Sequence, residues 1–216
     1  MESIIQTITV IAIPVLFAIT LHEAAHGYVA RYFGDPTAYL AGRISLNPIR
    51  HIDPIGTIAV PAFLLLASKF LGGGGILFGW AKPVPVNWSR LRRPKKDILW
   101  VALAGPAANF IMAFFWTLML KFLSLLHLSA GSFWAQMALA GIQINVIFMV
   151  FNLLPLPPLD GGRIVYSLLP TKWAQPYARI EPYGMLILLL LIFSGLLWQF
   201  LVPIFRFWYR FFNLFL

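Results

Sequence analysis

Residues 98–126, ILWVALAGPAANFIMAFFWTLMLKFLSLL, form an apolar run with one charged side chain, Lys121. A helix needs roughly 20 apolar residues to cross a bilayer core about 30 Å thick, so this stretch can span one. Segments 4–33, 133–155 and 183–205 have comparable length and character, and residues 55–71 are borderline, being short and interrupted by Pro61. In hydrocarbon the backbone must satisfy its own N–H and C=O groups, which favours helices. Only 11% of residues are charged and 60% are hydrophobic, whereas a soluble domain carries about 25% charged residues. We therefore expect an all-α polytopic membrane protein with about four to six transmembrane helices. The whole chain, 1–216, reads as a single integral-membrane domain, with a core at about 4–165 and an accessory C-terminal helix at about 183–205.

The net charge of +9 is not interleaved with any nucleic-acid motif. It reads as flanking charge that faces anionic lipid, so the bilayer is the expected partner and nucleic acid is not. No cysteine is present, which excludes thiolate metal sites and leaves His, Asp, Glu or backbone to hold any metal. The only early charge is Glu2, and the first apolar run continues into the residues of interest below, so a cleaved signal peptide is not expected.

That run ends in ITLHEAAHGYVA, residues 19–30. His22 and His26 are four apart, so on a helix they lie on one face, one turn apart, able to share a metal. Glu23 lies about 100° round the helix, placed to reach a water beside the metal but poorly placed to be a ligand. Two neutral imidazoles on zinc with one carboxylate as base is the division of labour of a metallohydrolase. The bland alternative is a helix end with a few polar residues at the interface, but ionisable groups inside an apolar segment are costly and usually functional.

A catalytic zinc site needs a third protein ligand, and the chain has only seven carboxylates and four histidines. Asp160 stands out. It follows a long apolar segment on a stretch broken by Pro155, Pro157 and Pro158, and Gly161-Gly162 follow it. Irregular backbone at membrane depth is tolerated only where it is buried in protein or lines a cavity. Asp-Gly is also a common turn, so a plain helix stop remains the alternative for Asp160.

HEAAH, followed more than a hundred residues later by NLLPLPPLDGG (152–162) and preceded in that interval by Gly105-Pro106-Ala-Ala-Asn109, resembles the site-2 protease family of intramembrane zinc metalloproteases, in particular its small prokaryotic branch without PDZ or CBS domains. The second family motif, N-x-x-P-x-x-x-L-D-G, is met at every specified position. The resemblance covers about residues 10–170. It implies one zinc ion held by His22, His26 and Asp160, with Glu23 as general base and Asn152 helping to stabilise the oxyanion. It also implies substrates that are transmembrane-helix proteins or signal-peptide remnants, and a multi-pass location in the cell membrane with the active site toward the cytoplasm. Asn145 and Asn152 are seven apart and share a helical face; hydrogen bonding between helices is the alternative for Asn152 and the preferred reading for Asn145. For Gly105 and Asn109 we expect close helix packing.

If one metal is shared, segments 4–33 and 133–155 must end on the same side of the membrane. Residues 55–90 should then leave and return on one side, as a re-entrant unit: apolar half-hairpin 55–71, glycine hinge 72–75, extended return 76–87. Arg31, Arg43, Arg50, Arg90, Arg92, Arg93, Lys95, Lys96, Arg163, Lys172 and Arg179 then share one face, cytoplasmic by the positive-inside rule. Within the return, GWAKPVPVN (79–87) is a candidate edge strand for a substrate's main chain, since prolines suit an edge; a plain interfacial loop is the alternative. Two other functions stay open in sequence alone: a catalytically silent membrane protein that binds partner helices, and a metal transporter, which would spread polar residues over several helices. Oligomeric state is not legible.

Overall fold

The computed structural model describes residues 4–59 and 82–216. Three long helices dominate: α1 (Ile4–Tyr32), α3 (Pro94–Leu125) and α4 (Phe133–Asn152). Shorter ones complete the described chain: α2 (Thr37–Leu40), α5 (Asp160–Leu168), α6 (Thr171–Ala178), α7 (Glu181–Phe193) and α8 (Leu196–Asn213). All three long helices pass as membrane spans by length and apolarity, and α6 with α7, bent by 65°, passes as a pair. The protein is thus an all-α multi-pass membrane protein, with three or four candidate spans among the described residues.

The ends of α1 and α3 follow from their sequences. Gly34 adopts φ +109, a left-handed conformation that suits glycine at a helix C-terminus. Asp35, fully buried, then accepts bonds from the backbone N–H and hydroxyl of Thr37 and, through Oδ2, from Asn87 N–H at 2.7 Å. α3 opens with Pro94 in its first turn, where a missing N–H is harmless. Its buried Asp97 accepts from Arg93 N–H at 2.7 Å and lies 4.0 Å from Arg93 Nε, so it pairs within the basic run.

α1, α3 and α4 pack on one another and form the core. Gly141 lets Trp116 lie flat on α4, since a Cβ there would sit 2.6 Å from Trp116 Cδ1. Outward-facing Ile111, Phe115, Leu118, Phe122 and Leu125 of α3 are exposed, a stripe that a soluble domain would not show and that lipid covers.

The last apolar segment is not one helix over 183–205. Ser194 and Gly195 (φ +75) break it, and α8 folds back against α4 and α3. Average hydropathy conceals such a break, because one glycine scarcely changes it. Leu197, Leu201 and Phe212 of α8 are buried, and Trp208, Phe211 and Phe212 surround Phe110 with ring centroids 5.7–6.1 Å away. The aromatic C-terminal half of α8 is therefore in part core.

Among the described residues there is no strand. Pro54–Ala59 is a short π-helical turn, residues 82–87 have no regular structure, and the rest of the expected re-entrant unit lies outside the described residues. Its flanks do meet. Lys82 N–H donates to His51 O at 3.0 Å, and Arg43 donates to Lys82 O at 2.9 Å. The chain thus leaves near His51 and is back beside it at Lys82.

Candidate metal centre

Three elements converge at one end of the core. From α1 come His22 and His26, whose Nε2 atoms are 3.1 Å apart. From the first turn of α5 comes Asp160, whose Oδ2 lies 3.2 Å from His22 Nε2 and 3.4 Å from His26 Nε2. From α3 come the groups that orient the rings: Asn109 Oδ1, 2.6 Å from His22 Nδ1, and Val101 O, 2.7 Å from His26 Nδ1. Because Val101 O can only accept, His26 Nδ1 carries a hydrogen; Asn109 Oδ1 imposes the same on His22. Both Nε2 atoms then present lone pairs.

An ionised Asp160 carboxylate is likewise acceptor-only. Three acceptor atoms therefore face one another with no hydrogen between them, and Asp160 Oδ2 is buried without a hydrogen-bond partner. Such a cluster is repulsive unless a cation sits in it. Zinc bonds of about 2.0–2.2 Å to N and O give tetrahedral ligand–ligand edges of about 3.3–3.6 Å, near the 3.1–3.4 Å found here. Among the described residues His22, His26 and Asp160 form a group that could hold a metal ion, and their donor set fits zinc.

Gly105 completes the geometry. A Cβ at this position would lie 2.6 Å from His22 Nε2 and nearer still to His26 Nε2. The absent side chain is thus the room in front of the ligand atoms, a more specific reason for glycine than the helix packing expected from sequence. Asn109, one turn on, likewise does more than pack. Neither role could be read from the sequence, because spacing along α3 does not say which side chains its small face meets.

Asp160 is placed by close backbone contacts. A Cβ on Gly162 would lie 2.7 Å from Leu156 C and Pro157 Cα, so the first turn of α5 folds directly onto the preceding loop. On the other side α7 presses in through Gly184, whose Cβ would lie 2.7 Å from Pro157 C. Glu23 accepts Val84 N–H through Oε2 at 2.7 Å. Asn152, at the end of α4, donates to Phe148 O of its own helix at 3.0 Å, whereas Asn145 bonds across to Asn109 at 3.0 Å.

A His-His-Asp cluster at one end of a bundle of membrane-spanning helices, with a carboxylate next in sequence, defines a membrane-embedded metallohydrolase. The model of peptidase family M50 matches residues 124–195, which include Asp160. The chain is 39% identical over 190 residues to "Putative zinc metalloprotease YwhC" of Bacillus subtilis (strain 168), covering 86% of this chain and 81% of that protein. It is 32% identical over 180 residues to "Putative zinc metalloprotease Rip2" of Mycolicibacterium smegmatis, covering 83% of this chain and 64% of that longer protein. A shorter match, 39% over 66 residues, joins it to "Putative zinc metalloprotease MJ0611" of Methanocaldococcus jannaschii, 30% of this chain and 31% of that protein. No solved structure matches. The chain belongs to peptidase family M50, the site-2 proteases, and is a zinc metalloprotease.

Proposed function

We propose that this protease cuts peptide bonds in or near the transmembrane segments of membrane proteins or signal-peptide remnants, close to the cytoplasmic face of the cell membrane. The convergence of three bare acceptor atoms, His22 Nε2, His26 Nε2 and Asp160 Oδ2, beside Glu23 carries the proposal. These three residues hold the zinc. When bound, zinc acidifies water and polarises a scissile carbonyl. Glu23 takes the proton of the attacking water and delivers it to the leaving amine. Val84 N–H fixes one oxygen of that carboxylate, leaving the other for the proton. Asn152 donates to the developing oxyanion: an amide carries two N–H donors, and Phe148 O takes one.

A transmembrane helix hides its carbonyls in its own hydrogen bonds and must unwind before attack. Residues 82–87 offer it a surface beside Glu23. N–H groups of Lys82, Val84 and Asn87 are taken by His51, Glu23 and Asp35, which ties the strip to α1 at its centre and to the turns after α1 at its ends. Pro83 and Pro85 have no N–H, so at those positions an incoming chain meets acceptors and must bring the donors. The cytoplasmic placement is supported by the basic residues at the site's end of the bundle, where Arg92 N–H bonds Phe33 O at 3.0 Å and so joins α1's C-terminus to the approach to α3.

The test compares membrane proteomes of cells carrying the wild type and Glu23→Gln. Short membrane stubs should accumulate only in the variant, and purified wild-type protein should cut them when zinc is present. Stubs that purified enzyme and zinc leave intact would refute the proposal.

A further inference from the structure

We infer that Asn109 and Asn145 are positioning residues of the metal centre, linked in a one-way chain of amides that crosses three helices and fixes how His22 presents itself. The inference rests on reading His22 as a ligand.

The chain's direction is set at its far end. Gly141 O is an acceptor and takes the Asn145 amide N–H at 2.9 Å. Asn145 Oδ1 is thereby turned toward Asn109 and accepts from its Nδ2 at 3.0 Å. The same Nδ2 donates to Ala18 O at 3.2 Å, so both Asn109 hydrogens are directed at acceptors. Asn109 Oδ1 is left facing His22 Nδ1 at 2.6 Å, and Nδ1 must be the protonated nitrogen. Reversing either amide would bring oxygen against oxygen. Asn109 and Asn145 are fully buried and Ala18 is too, so no water is at hand to repair the mismatch.

Asn109 therefore sets the tautomer and aim of His22 directly. Asn145 lies on α4 and acts through Asn109. Asn109 is also four residues beyond Gly105, so one face of α3 both leaves room for the metal and orients a ligand. Partners of this kind usually change metal affinity by roughly 10–100-fold when removed.

The experiment measures zinc affinity by chelator competition, and the visible spectrum after cobalt substitution, on the full chain in detergent. The variants are Asn109→Leu, Asn145→Leu, the double variant, Asn145→Ser and His22→Ala. Asn109→Leu should weaken zinc binding by roughly 10–100-fold and alter the cobalt spectrum. Asn145→Leu should act in the same direction but less, and the double variant should be no worse than Asn109→Leu alone, because the chain is already cut. Asn145→Ser removes the oxygen that Asn109 donates to without adding bulk, so it should weaken zinc binding in the same direction as Asn145→Leu and decides the matter if the leucine variant fails to fold. Wild-type affinity and spectrum in Asn109→Leu, or an Asn145 effect that persists undiminished without Asn109, would overturn the inference. Wild-type zinc binding in His22→Ala would instead overturn the ligand reading beneath it.

Discussion

Adding one methyl group at Gly105 should cost this protein its metal while leaving its helices in place. The new Cβ would stand 2.6 Å from His22 Nε2 and closer to His26 Nε2, whereas ordinary contact begins at 3.4 Å. The rings or α3 must therefore give way by about 0.8 Å at His22 and by more at His26, against a tolerance of roughly 0.2 Å in metal–ligand distances. Both imidazoles are held from behind, by Asn109 and Val101 of the same helix, so moving α3 away also loosens the rings. We expect zinc affinity to fall at least about 100-fold, or about 2.8 kcal/mol at 1.4 kcal/mol per tenfold, consistent with the roughly 1–3 kcal/mol of an overpacked core. Zinc competition against a chromophoric chelator measures the loss, and circular dichroism checks that the helices persist. A Gly105→Ala protein that binds zinc as the wild type does would refute the placement of Gly105 over the ligand atoms.

Glu23→Gln should lower peptide hydrolysis by about 10²–10⁴-fold with zinc content unchanged, since glutamine can still accept from Val84 N–H; loss of zinc would instead make Glu23 a ligand. Gly184→Ala should destabilise the fold by about 1–3 kcal/mol, because its Cβ meets the Pro157 carbonyl carbon, and should loosen zinc through Asp160; an unchanged melting temperature would show that α7 does not brace that loop. Free zinc at 100 times its Kd should stabilise the wild type by about 2.7 kcal/mol. Both imidazoles must stay unprotonated to bind metal, so this increment should shrink as pH falls, and it should be absent in His22→Ala at any pH.

Much of the architecture is legible in the chain because bilayer physics imposes long apolar runs. The three spans α1, α3 and α4 begin and end within a few residues of the hydropathy breaks. HEAAH is legible because two residues four apart on a helix must share a face, and Asp160 because irregular backbone after a span demands a reason. What stayed hidden depends on how separate helices face each other. Asn145 and Asn152 share a face of α4, yet one bonds across to Asn109 and the other to its own helix. Gly105 and Asn109 look like packing residues until α1 is laid against them. The Ser194-Gly195 break was invisible for a different reason: a left-handed glycine costs almost no hydropathy.

The bond from Val84 to Glu23 ties the proposed base to the proposed substrate shelf. One hydrogen bond, 2.7 Å from nitrogen to oxygen, joins them, and Asp35 and His51 pin the shelf on either side. A displacement of the shelf would remove that restraint on the carboxylate. The strip that the proposal gives to the substrate therefore also sets how the proposed base is held.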